Sequence, residues 1–333
     1  MTARSRARLR TQALSAVLFA IAAAGAVAFG RPRTILASRP FDRFSPAFAA
    51  RASGDAFGRS GGVKVRVAMP EDSVEFPMGL SADPSTVRYQ WVRLADSTEA
   101  TAPRALAGAH VVAPAVPGFY RLALLRGETR EVLAEPTLGV MVPFEAKRGA
   151  MLNGYRIGTY LAERLGVGYE RPEGFLEVQP EEVELRVSNH LRLADFLTQD
   201  SQREVWPKYV ALSPRLLDKL ELVIDEVERG RHPGRDLELG VHSGFRTPAH
   251  NGRVRRAAQD SRHQYGDAAD VVIDANGDGR ITAADGLLVA RAVEQVERDN
   301  PDLVGGLGLY FGRQHRTPYV HIDTRGTRSR WRG

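Results

Sequence analysis

Alternation of apolar and polar residues predicts a β-rich region between residues 61 and 145. Residues 63–67 and 87–94 alternate with a period of two, which is typical of strands with one buried face. A third run, residues 119–125, follows a Pro-Gly turn, and a fourth covers residues 138–142. Several short strands at this spacing predict a small antiparallel β-sandwich, which we interpret as an accessory domain.

The pattern changes to a mixture of helix and strand signals after residue 146. Residues 157–165 suit a short helix, and residues 213–229 carry leucine and valine at helical spacing, which predicts an amphipathic helix facing a core. Residues 237–241 are typical of a strand, and a helix is predicted from residue 283 to 298, ended by Pro301. An α+β fold is therefore expected for residues 146–333.

The first thirty residues have the pattern of a targeting segment. Four arginines precede an uncharged, mostly apolar run at residues 13–30, and Ala-Val-Ala at 26–28 offers a cleavage site. The run also reaches spanning length, so a cleaved signal peptide and an uncleaved membrane anchor are both open. Either predicts export, to the periplasm or the extracellular space, with a tether to the cytoplasmic membrane if the segment stays. Residues 31–60 lack periodicity and are interpreted as a linker.

Composition narrows the class of protein. The chain has 333 residues, 43% of them apolar, and can bury a sizeable core. It has no cysteine, which excludes disulfides and thiolate metal sites. The net charge is +6, but four arginines in the first ten residues contribute +4 of it, so the rest of the chain carries only +2. This distribution argues against a nucleic-acid partner.

Two histidine–aspartate clusters mark the candidate chemistry. His263 and Asp270 lie seven residues apart with small residues between them, and His321 and Asp323 follow near the C-terminus. Two imidazoles and one carboxylate suit zinc (Zn²⁺) and leave a fourth position for water, as in catalytic zinc sites. Asp270 could instead simply begin the strand that follows it. The pattern favours a zinc site.

Several motifs resemble those of the zinc D-Ala-D-Ala metallopeptidase family, whose fold is shared with the hedgehog signalling domain. They are Ser-Gly-Phe-Arg at 243–246, Asn251, S-x-H-x-x-G-x-A-x-D at 261–270 and Val-His-Ile-Asp at 320–323. The ending, His-Ile-Asp-Thr-Arg-Gly at 321–326 with Trp331, is similar to the branch of MepK-type peptidoglycan endopeptidases. The resemblance covers residues 147–333 and is strongest after residue 240.

The resemblance implies a hedgehog/DD-peptidase-like domain with an antiparallel sheet, zinc on one face and helices behind. It also implies that His263, Asp270 and His321 hold the zinc and that Arg246 contacts substrate. Chemically, a guanidinium there would stabilise a developing oxyanion or hold a substrate carboxylate.

The sequence identifies the general base less clearly than it identifies the zinc ligands. Related enzymes use a glutamate or histidine shortly before the last ligand, but no glutamate follows Glu297. His315 and Asp323 are the candidates. Asp323 could equally orient a ligand histidine, and His315 could be an exposed residue without a catalytic role.

Residues 274–285 match a twelve-residue EF-hand loop. Gly279 occupies the sixth position, and aspartate at the twelfth resembles dockerin-type loops. A plain Asn/Asp/Gly turn is the alternative. The match predicts a structural calcium (Ca²⁺) site with ligands at Asp274, Asn276, Asp278, Arg280 (carbonyl), Thr282 and Asp285.

The sequence thus favours an exported zinc peptidase that cleaves peptidoglycan stem peptides or crosslinks, as an endopeptidase or a D,D-carboxypeptidase. A non-catalytic, metal-containing module of the same fold that binds cell wall or a protein is the first alternative. A calcium-stabilised structural protein is the second.

Overall fold

The computed structural model has an α+β fold with several sheets and few helices, in agreement with the mixed sequence pattern. The segment expected to direct export, residues 1–30, lies outside the described residues. Within the described part, no helix has the length and apolar character needed to cross a bilayer. The structure describes residues 33–35, 48, 50–52, 55–166, 168–230, 237–311 and 317–333.

The elements are numbered in chain order. The strands before residue 146 are β1 (Arg33–Ile35), β2 (Arg51–Ala52), β3 (Val65–Ala68), β4 (Ser73–Glu75), β5 (Met78–Gly79), β6 (Arg88–Arg93), β7 (Arg104–Ala105), β8 (His110–Val112), β9 (Gly118–Arg126), β10 (Thr129–Val140) and β11 (Val142–Pro143). The strands after it are β12 (Met151–Leu152), β13 (Tyr155–Arg156), β14 (Gly174–Val178), β15 (Lys208–Val210), β16 (Leu237–Ser243), β17 (Ala268–Ile273), β18 (Gly306–Tyr310), β19 (Tyr319–Asp323) and β20 (Ser329–Arg332). The helices are α1 (Leu161–Leu165), α2 (Pro214–Arg229), α3 (Pro248–Asn251) and α4 (Ala283–Asp299), and a 3₁₀ turn spans Arg262–Tyr265.

The β-rich region contains a five-stranded sheet in the order β3-β10-β9-β6-β7. Its pairs are antiparallel except β3 with β10, which is parallel and departs from the purely antiparallel expectation. Trp91, fully buried, packs edge-on against Phe76 in a core of its own. Val63, Val65 and Phe119 belong to the core of the following region instead. The division into a sandwich at 61–145 and a zinc domain at 146–333 stays a prediction.

Parts of the expected linker, residues 31–60, lie against the folded region. Strand β1 pairs antiparallel with β16, and β2 pairs with β5. Phe48 and Phe57 are buried in the core of the β-rich region. Burying two phenylalanine rings removes a large apolar area from water, which a solvated linker would leave exposed.

A six-stranded sheet in the order β1-β16-β17-β19-β18-β20 carries the candidate site. It is antiparallel except for the parallel pair β18–β20. Side chains alternate across a strand, so Val271, Ile273 and Ile322 pack towards Leu220 and Val223 of α2. Asp270, Tyr319 and His321 therefore lie on the opposite face. Helix α2 agrees closely with the amphipathic helix expected at residues 213–229.

The predicted helix at residues 157–165 is shorter in the structure and begins at Leu161. Gly158 has a φ of 96°, which a right-handed helix does not allow. A Cβ there would also lie 2.4 Å from the backbone nitrogen of Ala249. The chain therefore turns at Gly158 and becomes helical only afterwards.

A charge cluster on α2 couples stability to pH. The carboxylate of Glu221, buried, accepts the His190 amide at 2.9 Å and contacts His190 Nδ1 at 2.8 Å. Burial opposes protonation of His190, but Glu221 outweighs it and raises the His190 pKa. Burial and the neighbouring Glu221 raise the pKa of Asp225 to about 6. Both groups bind protons more tightly in the folded state, so their stabilisation is full below the unfolded pKa values and is lost as pH rises through the folded ones.

Replacing Asp225→Asn is expected to stabilise the protein at pH 8 and to leave it nearly unchanged at about pH 3, below both the folded and the unfolded pKa, where the carboxyl is mostly protonated in both states. Because Asp225 is partly exposed, solvent screening reduces the gain to about 1 kcal/mol. Urea unfolding at the two pH values measures it. Glu226→Gln, which removes an exposed pair with Arg229, is the control and should change stability by less than about 0.5 kcal/mol at both. An equal effect of Asp225→Asn at both pH values would contradict the argument.

Candidate metal centre

Three elements bring the predicted zinc ligands together. His263 lies in the 3₁₀ turn Arg262–Tyr265, Asp270 in β17 and His321 in β19. Asp270 and His321 are direct partners across the β17–β19 pair. Gly266, with a φ of 72°, turns the chain from His263 into β17, and a Cβ there would lie 2.1 Å from the Ala211 carbonyl oxygen. Only glycine fits this turn.

Three ligand atoms converge at this point. His263 Nε2 lies 3.1 Å from His321 Nδ1 and 3.2 Å from Asp270 Oδ1, and the last two atoms are 2.9 Å apart. Tetrahedral zinc with bonds of about 2.1 Å separates its ligand atoms by about 3.4 Å, so the set needs only a small expansion. In the part of the chain that the structure describes, this is the one group of three His, Asp or Glu side chains with ligand atoms within 4.8 Å of one another.

The hydrogen-bond partners fix where the imidazole protons lie. His263 Nδ1 is 2.7 Å from the Gly244 carbonyl, which can only accept, so Nδ1 donates and Nε2 keeps its lone pair. His321 Nε2 is 3.1 Å from Asp323 Oδ2 and donates to it, so the neutral form of His321, the form that binds a metal, has its lone pair on Nδ1. Two lone pairs and the Asp270 carboxylate therefore face one another. This donor set suits a cation, and zinc in particular.

The electrostatics agree with a cation site. Burial lowers the pKa of His263, so its imidazole is neutral. Burial opposes ionisation of Asp270, but His263, His321 and Arg246 outweigh it and hold its pKa well below the usual range. Burial also opposes protonation of His321, yet its bonds to Asp270 and Asp323 raise its pKa. A negative charge is thus fixed among the ligands, and a positive charge is attracted to it.

Asp323 lies directly behind His321 and is fully buried. Its carboxylate accepts the Gly306 amide at 2.7 Å and the Arg325 guanidinium, besides His321. Burial opposes its ionisation, but His321 and Arg325 keep its pKa far below the usual range. Of the two roles expected for Asp323, this geometry fits the orienting one, because a base must exchange protons with the cleft. His315, the other expected base, lies outside the described residues.

The main interaction of the Arg246 side chain is an ion pair with the ligand Asp270. Its Nε donates to Ser243 Oγ at 2.7 Å, and its Nη2 pairs with Asp270 Oδ2. Its backbone amide also donates to the His263 carbonyl at 3.0 Å. The guanidinium therefore turns Asp270 so that Oδ1 faces the histidines. Arg246 lines the cleft as well, with 13% of its side chain exposed, so its expected contact with substrate is compatible with this position.

The ligands open onto a cleft of about 640 Å³ with an aromatic wall. Tyr319, two residues before His321 on the same face, stacks on Tyr310 with centroids 4.5 Å apart. The Trp331 indole lies 5.1 Å from the His321 ring and donates to the Tyr310 hydroxyl at 2.9 Å. A Cβ on Gly308 would lie 2.5 Å from this indole, so the glycine makes room for it. Sequence reasoning missed the two tyrosines, although the spacing of two along β19 was a usable signal for Tyr319.

The residues of the predicted calcium loop turn their oxygens towards the loop's own donors. Asp274 accepts the amides of Gly277 and Gly279, both at 2.8 Å. Asp285 accepts the Thr282 amide and hydroxyl, both at 2.8 Å, and caps α4. Asn276, Asp278 and Arg280 are exposed. These bonds are equally those of a plain turn, so the calcium site stays a prediction.

Comparisons with known proteins add little. No protein-family model matches the chain, and no curated protein matches it. One solved structure with similarity is the L-Ala D-Glu endopeptidase ChiX of Serratia marcescens, at 21% identity over 34% of this chain and 83% of the other, with a TM-score of 0.25. The geometry of the site, and not these similarities, is therefore the basis for inferring a function.

The orienting role of Asp323 predicts the effect of Asp323→Asn on zinc binding. Loss of the charge behind His321 should weaken zinc affinity by about 10–100-fold. Competition with a fluorescent zinc chelator measures this change. Asp302→Asn, which removes a surface aspartate paired with Arg59 at 2.7 Å, is the matched control and should leave affinity unchanged. Unaltered affinity in a folded Asp323→Asn protein would refute the role.

Proposed function

We propose that this protein is a zinc-dependent peptidase that cleaves peptide bonds in peptidoglycan stem peptides or crosslinks. One observation carries the proposal: three buried ligand atoms, on His263, Asp270 and His321, converge within 3.2 Å at the floor of an open cleft. A structural zinc site would be closed by four protein ligands, whereas three ligands beside a cleft are typical of a catalytic one. The motif resemblance supports the choice of peptidoglycan and of a hedgehog/DD-peptidase-like fold.

Each residue of the site has a defined task in this proposal. When bound, zinc would supply Lewis acidity, which polarises a peptide carbonyl and lowers the pKa of a water molecule to about 7. His263 and His321 present lone pairs because Gly244 and Asp323 hold their other nitrogens. Arg246 keeps Asp270 ionised and oriented. Asp323 is enclosed by donors, so His315 remains our candidate for the proton acceptor.

The alternative is a non-catalytic module of the same fold that binds cell wall or a protein through the cleft. The specific observation in its favour is the composition of the cleft wall. Among the described residues that line it, the carboxylates are Asp260 and the ligand Asp270, and no glutamate is present. A binding module needs no base. Turnover separates the two functions.

We also propose that the protein works outside the cytoplasm. The arginine-rich start and the apolar run at residues 13–30 support export, either with cleavage or with retention as a membrane tether. Peptidoglycan peptides are the partner that this location would supply.

Digestion of purified peptidoglycan tests the peptidase. Residues 31–333, loaded with zinc, should release peptides with new ends, identified by mass. His263→Ala removes one of three ligands and should lower release at least about 1000-fold. His110→Ala, a histidine in strand β8 outside the cleft, is the matched control and should retain full activity. If the wild-type protein, with zinc bound, releases nothing from several wall types, the peptidase proposal fails and the binding module replaces it.

Calcium at residues 274–285 is a separate proposal, based on the spacing of acceptors in the sequence. At calcium concentrations about 100 times the dissociation constant, binding should stabilise the fold by about 2.7 kcal/mol and raise the melting temperature by about 4 °C. Asp278→Ala should abolish the shift, and magnesium should not reproduce it. The absence of a shift in the wild-type protein would identify the segment as a plain turn.

A further inference from the structure

A groove of about 500 Å³ lies between helix α4 and the edge of the six-stranded sheet. Its floor is apolar and is formed by Leu287 and Ala290 of α4 and by Leu307 and Leu309 of β18. Leu307 is the register partner of Ile322, which packs towards α2, so the groove lies on the face of the sheet opposite the metal centre. Leu287 is 43% exposed. Open apolar surface with a polar rim is typical of an interaction site.

The rim of this groove is cationic. The described residues that line it include one carboxylate, Glu294, which already pairs with Arg330 at 2.7 Å and with Arg328 at 3.0 Å. The side chains of Arg291 and Arg332 are exposed and make no ion pair or hydrogen bond in the described part of the chain. The arginines that line the groove are Arg291, Arg298, Arg330 and Arg332. The rim therefore carries a surplus of positive charge, which attracts an anionic partner.

One wall of the groove is a free strand edge. Strand β20 is the last strand of the sheet, and among the described strands it pairs only with β18. The amide of Gly333 donates towards β18, to the Leu309 carbonyl at 3.0 Å. Backbone groups alternate in direction along a strand, so the amides and carbonyls of Arg330 and Arg332 point away from β18. An edge of this kind is a template for a further strand.

We propose that the groove is a docking site for an acidic, extended segment of a partner protein, which adds a strand to the edge of β20 and lays apolar side chains on the floor between α4 and β18. In this mode of recognition, main-chain hydrogen bonds hold the segment and side chains fit the adjacent surface. Acidic residues of the segment pair with Arg291 and Arg332. The inference concerns a surface apart from the metal centre and does not rest on the proposed function.

The distribution of charge favours this occupant over others. A second copy of the chain, paired through the same edge, would bring Arg330 and Arg332 of one copy close to the same arginines of the other, and like charges opposed across strands are unfavourable. A lipid headgroup would match the charge but could not use the row of amides and carbonyls along the edge. An acidic peptide matches the edge, the apolar floor and the rim together.

Trp331 gives the docking a spectroscopic signal. Its side chain lines both the groove and the cleft, and its ring lies 5.1 Å from that of His321. A segment bound along β20 is therefore next to an indole, and the emission of that indole should change when the groove is filled.

Fluorescence anisotropy with a labelled peptide tests the site. The repeat Val-Val-Glu-Glu places both residue types on each face of an extended chain. The zinc-loaded full chain should bind it at least about 10-fold more tightly than the repeat Val-Val-Lys-Lys, and added salt should weaken the binding. The acidic repeat with N-methylated amides keeps its side chains but cannot donate to the strand edge, so it should bind at least about 10-fold more weakly.

Variants of the rim and floor locate the binding. The double variant Arg291→Gln/Arg332→Gln removes both unpaired charges and should weaken binding of the acidic peptide at least about 10-fold. Leu287→Ser, at an exposed position, should weaken it about 5-fold. The matched control is Arg203→Gln/Arg253→Gln, which removes two exposed charges outside the groove and should leave the affinity unchanged.

Several outcomes would overturn the inference. One is no measurable binding of the acidic peptide, or equal binding of the acidic, basic and N-methylated peptides. Another is self-association, measured by sedimentation, that the double variant abolishes, since the groove would then be an interface between copies of this chain. A third is binding of phosphatidylglycerol vesicles that depends on Arg291 and Arg332, without binding of the peptide. These measurements do not need turnover, so failure of the peptidase proposal would leave their result interpretable.

Discussion

The whole candidate site depends on one cross-strand pair, Asp270 opposite His321. Directly opposed residues in an antiparallel pair have neighbouring side chains, and here the two ligand atoms come within 2.9 Å. His263 adds a third acceptor from a separate turn. Buried acceptors that face one another are unfavourable without a positive charge between them. The fold can therefore hold this arrangement at low cost only if a cation, or a proton in its place, occupies the centre.

The helices behind the sheet help to hold that pair in place. Lys219 of α2, fully buried, donates to Glu297 Oε1 and to the Asp323 carbonyl, both at 2.7 Å. Glu297 of α4 also accepts the Gly305 amide at 3.1 Å, next to β18. Breaking a buried pair of this kind costs about 3–5 kcal/mol. The end of β19, and with it His321, is thus tied to both helices.

Much of this organisation was predictable from the sequence, because it depends on local patterns. The amphipathic helix α2, the α+β class and the proximity of His263, Asp270 and His321 follow from periodicity, spacing and motif. Contacts between distant segments were not predictable. No local signal shows that Phe48 enters a core, or that Trp331 fills the space left by Gly308. The enclosure of Asp323 by Gly306 and Arg325 likewise depends on how separate strands meet.

The charges explain why arginine recurs around this site. Asp270 and Asp323 must stay ionised although both are buried, and Arg246 and Arg325 lower the free energy of the charged forms. Each arginine therefore keeps its carboxylate ionised, Asp270 as a metal ligand and Asp323 as the partner of His321. The same two ion pairs therefore hold the metal site in place and preserve the negative charge that attracts a cation.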